Sequence, residues 1–124
     1  MVFPDLCKTG DVWLEEDGTP LFFWERKWSP ICGWSFWDDN VGATTFCNKL
    51  GYESGTVNKV QTRYPVASVR IGRCGDGDEL TACTAGGNFL YSQNDKYCYP
   101  QDAYSITIAC NEQANGNSSC NMGK

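Results

Sequence analysis

The side chains able to do chemistry are eight cysteines, fifteen carboxylates, ten Lys and Arg, and seventeen aromatics counted as Trp, Tyr and Phe; histidine is absent. Without histidine the usual general base and metal ligand is missing. Eight thiols in 124 residues read either as disulfides or as metal thiolates. Structural zinc sites carry a close Cys-x₂₋₄-Cys pair, whereas the tightest spacing here runs from Cys74 to Cys83. An even number of scattered cysteines in a short chain is a disulfide framework, and it places the protein in an oxidising compartment, secreted or extracellular. Cysteines paired in this way leave no thiolate nucleophile.

Carboxylates are the remaining catalytic option. Glycoside hydrolysis needs only two acids at a set separation, and Glu15-Glu16-Asp17 is the candidate that keeps a small secreted carboxylate-dependent glycoside hydrolase as an alternative. Its place beside a Gly-Thr-Pro turn makes a solvated hairpin tip the simpler reading, so no enzyme is expected. The turn around Asp76, Gly77, Asp78 and Glu79 offers hard oxygen ligands suited to calcium, against the plainer role of Asp78 as a helix cap. Aromatics cluster at Phe22-Phe23-Trp24, Trp28, Trp34, Phe36 and Trp37. Most of them should form the core of a small fold. Rings left exposed beside Arg26 and Lys27 would suit sugar stacking or a protein hot spot, and Arg70 and Arg73 are the other basic candidates. Asn117-Ser118-Ser119 is an N-glycosylation sequon.

Charge and length narrow the classes. The net charge is -5 and the pI about 4.5, with dispersed basic residues, which argues against a nucleic-acid partner. No run approaches the ~18 apolar residues of a membrane span. The opening Met1-Val2-Phe3-Pro4-Asp5 lacks the pattern of a signal peptide, so a processed form or a domain cut from a longer protein is expected. The length fits one domain, 1–124.

These residues need elements to hold them. Residues 10–14 alternate as a short strand, and 15–20 form a turn. Residues 21–28 read as an aromatic strand that Ser29-Pro30 interrupts. The clearest pattern is Ala43, Phe46, Cys47 and Leu50 at i, i+3, i+4 and i+7, with Asp39 or Asn40 to cap and Gly51 to terminate; it predicts one helix over about 40–50. Residues 52–65 read as a loop, 66–71 as a strand, and 79–83 as a helical turn. Tyr104, Ile106 and Ile108 alternate as a half-buried strand ending at Cys110. The tail 111–124 is polar and is held by Cys120. The class is α+β, a small curved antiparallel sheet cradling one main helix.

Read with their neighbours, the cysteines resemble those of a scavenger receptor cysteine-rich domain. Cys7-Lys8-Thr9-Gly10-Asp11-Val12 is similar to that family's opening Cys-x-Gly-x-Val, and Trp28-Ser29-Pro30-Ile31-Cys32 to its Trp-Gly-Thr-Val-Cys. Phe46-Cys47-Asn48-Lys49-Leu50-Gly51-Tyr52 resembles its helical Val-Cys-Arg-Gln-Leu-Gly, and Arg73-Cys74, Leu80-Thr81-Ala82-Cys83, Tyr97-Cys98 and Ile106-Thr107-Ile108-Ala109-Cys110 follow in order. The match covers 7–110, leaving 111–124 as an extension. It implies Cys32–Cys98, Cys47–Cys110 and Cys74–Cys83. The eight-cysteine subgroup bonds its first cysteine to one just after Leu-Gly, which here is Tyr52. Cys7 thereby loses that partner, and Cys120 is expected to take its place.

The resemblance also implies divalent-cation sites. Asp78 matches an acidic ligand position, but Arg70 and Ile71 replace the Asp pair that would complete it. Asp38 and Asp39 are the residues left for a second site. Calcium is thus a candidate cofactor, and no other is implied. The function implied is extracellular recognition of a protein or glycan ligand, within a receptor or larger assembly; a structural subunit of an extracellular assembly is the alternative from a different class.

Overall fold

The computed structural model describes residues 7–24, 26–33, 36–66, 68–75, 77, 79–80, 83, 103–111 and 120. In chain order the elements are β1 (Val12–Leu14), β2 (Pro20–Trp24), β3 (Lys27–Cys32), a 3-10 turn (Phe36–Asp38), α1 (Val41–Lys49), β4 (Ser54–Tyr64), β5 (Val69–Arg70) and β6 (Ala103–Asn111). The architecture is α+β with one described helix, mainly antiparallel strands and several disulfides. The strands divide into a four-stranded sheet, β1-β2-β3-β5, and a two-stranded ribbon, β4-β6. One pair, β3 with β5, runs parallel.

α1 forms where its apolar stripe requires it. Ala43, Phe46, Cys47 and Leu50 are all buried and face β4 and β6. Asn40 is the N-cap and makes no side-chain cap bond; Asp39, one residue earlier, accepts from Val41 N–H through Oδ1 at 3.0 Å. Asn40 instead accepts from Val57 N–H at 2.9 Å. At the other end Gly51 takes φ 93°, and the Tyr52 and Gly51 amides close back onto Cys47 O and Asn48 O, both at 3.0 Å. That is a Schellman closure, which a left-handed glycine permits at no steric cost.

Three segments differ from the sequence expectation. The aromatic run is not one strand: it folds into the β2–β3 hairpin, with Arg26 at φ 66° in the turn. Pro30 lies inside β3, opposite Leu21. Phe23 directs its N–H and C=O toward β1, bonding Asp11 O and Gly10 N, so Leu21, two residues away, also faces β1. Position 30 is therefore a non-bonded one toward β2, and β5 meets β3 only at Ile31 and Cys32. A proline there costs no ladder bond. Residues 54–64, expected to be loop, form the eleven-residue strand β4. Its polar character reflects exposure, because it pairs with β6 alone. Of the described residues among 66–71, Val69–Arg70 is strand.

The two sheets are joined along the edge of β6 that turns away from β4. Gly33 N–H donates to Tyr104 O at 2.9 Å, and Ile108 N–H donates to Gly18 O at 2.8 Å. Between them the Tyr64 hydroxyl accepts from Ile106 N–H at 3.2 Å and donates to Ile106 O at 3.4 Å. Every second residue of this edge thus has a partner. The outer edge of β4 is covered at its start by α1: Thr44 Oγ1 bonds both Gly55 N–H and Gly55 O. Beyond Val57 the edge carries Lys59 and a register shift between Lys59 and Arg63, two devices that discourage strand addition.

Three disulfides lie wholly within the described residues. Cys47–Cys110 ties α1 to β6, Cys74–Cys83 closes a short loop, and Cys7–Cys120 joins residues 113 positions apart. Cys32 is also oxidised; Cys98 lies outside the described residues. Gly55 is dictated by one of these bonds, since a Cβ there would sit 2.4 Å from Cys47 Sγ. Among the described residues no helix is long and apolar enough to cross a membrane.

Candidate recognition face

The 3-10 turn after β3 leaves Trp37 half-buried, packed against the core from outside, while its neighbour Phe36 goes fully into it. Gly33 makes this possible. Its missing side chain lets the Trp37 ring lie on the backbone, where a Cβ would come within 2.8 Å of Cε3. Trp37 N–H donates to Gly33 O at 3.0 Å while Gly33 N–H holds Tyr104 O, so one glycine fixes the approach of two aromatic residues. Their ring centroids are 5.0 Å apart at 49°.

Each ring carries a cation. Lys59 Nζ stands 4.7 Å from the Trp37 centroid, and Arg63 Cζ stands 3.9 Å from that of Tyr104. Register places Lys59 opposite Ile106 and Arg63 opposite Tyr104. Opposed residues share a face, so the irregular stretch between them returns both cations to the same side of the ribbon. Exposed cation–ring contacts contribute only about 0.5–1 kcal/mol each. Their larger effect is to pre-orient two charges and two half-exposed rings. Among the described residues neither Lys59 nor Arg63 has a carboxylate partner, in a chain whose net charge is -5.

Arg73, Asp38 and Asp11 are committed elsewhere. Arg73 grips Asp38 Oδ2 through Nε at 2.9 Å and also through Nη2. Asp38, through its hydrogen bond and its charge, with Asp39 behind it, holds the Arg73 guanidinium above its ordinary pKa. Asp11 is buried and accepts from Lys8 N–H at 2.8 Å. Its carboxylate lies within ligand distance of the Cys7 and Cys120 sulfurs, but those sulfurs are bonded to each other.

No protein-family model and no curated protein matches the chain. A solved structure, of the dimeric form of the SRCR domain of mouse MARCO, superposes with a TM-score of 0.55 over 86% of this chain and 91% of that one, at 20% identity. The fold is that of a scavenger receptor cysteine-rich domain.

On this scavenger receptor cysteine-rich fold the residues singled out from sequence scatter. Trp37 is central to the face and Arg73 sits beside it, paired with Asp38 on the same 3-10 turn. Arg26 and Lys27 are exposed at the β2–β3 turn, away from any ring contact among the described residues. Arg70 is half-buried on β5. Of the calcium candidates, Asp38 carries Arg73, Asp39 accepts from Val41 N–H, and Glu79 is exposed. Among the described residues no three carboxylates converge on one point. Trp34, Asp76, Asp78 and Asn117 lie outside the described residues. The acidic tip Glu15-Glu16-Asp17 lines a pocket with Trp13, and Asp17 Oδ1 accepts from Thr19 N–H at 2.9 Å, a turn-forming role. Lys59, Arg63 and Tyr104 were not singled out from sequence. Two cations four apart among the β-branched Thr56, Val57, Val60 and Thr62 are the signal that could have marked them.

Proposed function

We propose that this chain is a secreted or extracellular recognition module, not an enzyme, that binds a protein or glycan ligand through the Trp37–Tyr104–Lys59–Arg63 face. The observation carrying this reading is the pair of cations held over two half-buried rings, with no carboxylate partner among the described residues. Rings of this kind stack on sugar or apolar side chains, and the cations add directional bonds to carboxylate, sulfate or carbonyl oxygens. In this reading residues 1–124 are one domain, Cys98 is the partner of Cys32, and Asn117 is a glycan acceptor. Calcium at Asp38 or Asp39 would share each carboxylate with a partner already in place, Arg73 on Asp38 Oδ2 and the Val41 amide on Asp39 Oδ1.

The test is a combined glycan and protein array probed with folded protein, with and without calcium, alongside Lys59→Glu/Arg63→Glu. Binding by the native protein that the double variant loses, with melting temperature unchanged, is the expected result. Equal binding by both proteins rejects the face.

A structural subunit is the second reading, favoured by a different cluster. Trp28 packs edge-on against Trp13 and Phe23, at 5.7 and 5.0 Å, and its buried indole N–H has no partner among the described residues. Light scattering distinguishes the two: a monomer favours ligand recognition, and a stable assembly favours the structural role.

A further inference from the structure

Every described element, from β1 to β6, lies between Cys7 and Cys120. The two cysteines are 113 residues apart in sequence, yet their Cα atoms are 5.2 Å apart. Any chain entering at residue 7 and leaving at residue 120 therefore does so at a single covalent point. A pull along the chain has two routes across the module. One is a short bridge of covalent bonds; the other is the whole fold. The bridge is already taut at its bonded length, so it carries the load. The local backbone supports it: Asp11 accepts from Lys8 N–H at 2.8 Å, and Asp11 N–H donates to Lys8 O at 2.9 Å, which anchors the first cysteine to the start of β1.

We infer that Cys7–Cys120 is a tension bypass, which hangs the folded module beside a strained chain and keeps its β4–β6 face intact under load. Neither of the other two described bonds could do this. Cys47–Cys110 leaves β1, β2 and β3 outside its loop, and Cys74–Cys83 spans nine residues. With the clasp opened and Cys47–Cys110 still closed, residues 7–47 and 110–120 come into the load path. About 50 residues extend to at most ~170 Å.

Single-molecule pulling tests this on the whole chain, held between two handle domains of known unfolding length. Without reductant the native module should release no length while the handles unfold. Adding dithiothreitol supplies a dithiol that becomes a cyclic disulfide as Cys7 and Cys120 each gain a hydrogen. The same molecules should then release about 170 Å at the first step. Cys7→Ser/Cys120→Ser should show that extra length with no reductant, as a step if folded or from the start of the pull if not. Native protein that lengthens at handle-unfolding forces without reductant overturns the inference. So does a double variant with the same extension as the native chain.

Discussion

Tyr64→Phe isolates a side-chain contact within the β4–β6 ribbon, the one that closes the β6 edge at Ile106 between the two backbone bonds to the four-stranded sheet. The ring stays and only the hydroxyl is lost, so packing changes little while Ile106 N–H and Ile106 O lose their partner at 3.2 and 3.4 Å. Both groups are in the interior, with Tyr64 and Ile106 buried, and water does not replace the phenol. Leaving a buried polar group unpaired costs about 1–3 kcal/mol. The long 3.4 Å bond puts the expected loss near 2 kcal/mol. For a chain of this size that corresponds to a fall of roughly 6–12 °C in melting temperature. Urea unfolding under non-reducing conditions measures it, and a change below ~0.5 kcal/mol refutes the role of the hydroxyl in closing the β6 edge. The same hydroxyl has a pH signature. Burial, with a smaller contribution from the charge of Asp17, raises the Tyr64 pKa above its ordinary value of 10.0, against the opposing hydrogen bond to Ile106. A raised folded-state pKa gives stability that is complete below the unfolded value and lost as pH climbs above it. Native protein should therefore lose up to ~1.4 kcal/mol more per pH unit above 10 than Tyr64→Phe does.

Gly55→Ala should destabilise by about 1–3 kcal/mol, because the new Cβ meets Cys47 Sγ at 2.4 Å and the Ala43 carbonyl at 2.7 Å; denaturant unfolding that matches the native midpoint contradicts this. Removing the clasp by Cys7→Ser/Cys120→Ser should cost about 4 kcal/mol, the loop-closure entropy of the ~50 residues left unrestrained by Cys47–Cys110, read from the urea midpoint. Arg73→Ala should leave the melting temperature where it is, since its pair with Asp38 is solvent-exposed and such pairs stabilise little; a clear drop in a thermal scan would show that the pair holds the 3-10 turn in place.

The helix was legible because its stripe is buried on one side only and ends at a glycine, Gly51. The α+β class followed from short strands around one helix, and the scavenger receptor cysteine-rich fold from the ordered cysteines. β4 was not legible, for a physical reason. Only Gly55 and Tyr64 of that strand are buried, so no apolar alternation marks it, and the irregularity between Lys59 and Arg63 breaks the period of two. The β2–β3 hairpin was hidden by an unbroken aromatic run and by a turn whose left-handed residue is Arg26, where a glycine or asparagine would have signalled it. Pro30 pointed to a strand end because its non-bonded position depends on register, which composition does not carry. Half of the candidate face was missed with β4: Trp37 stood out as a loop aromatic, while Lys59 and Arg63 had no element to place them. Tyr104 was read as part of an alternating buried face, yet its ring is half-exposed under Arg63.

The recognition face is tested most directly by covalent footprinting of the complex with whichever array ligand binds tightest, read by mass spectrometry. Trp37 and Tyr104 should be protected from oxidation and Lys59 from acetylation, with Trp13 and Lys27 reacting as in the free protein. Protection confined to Trp13 and the acidic 15–17 turn, or to the exposed side of α1 at Thr45 and Asn48, would contradict it.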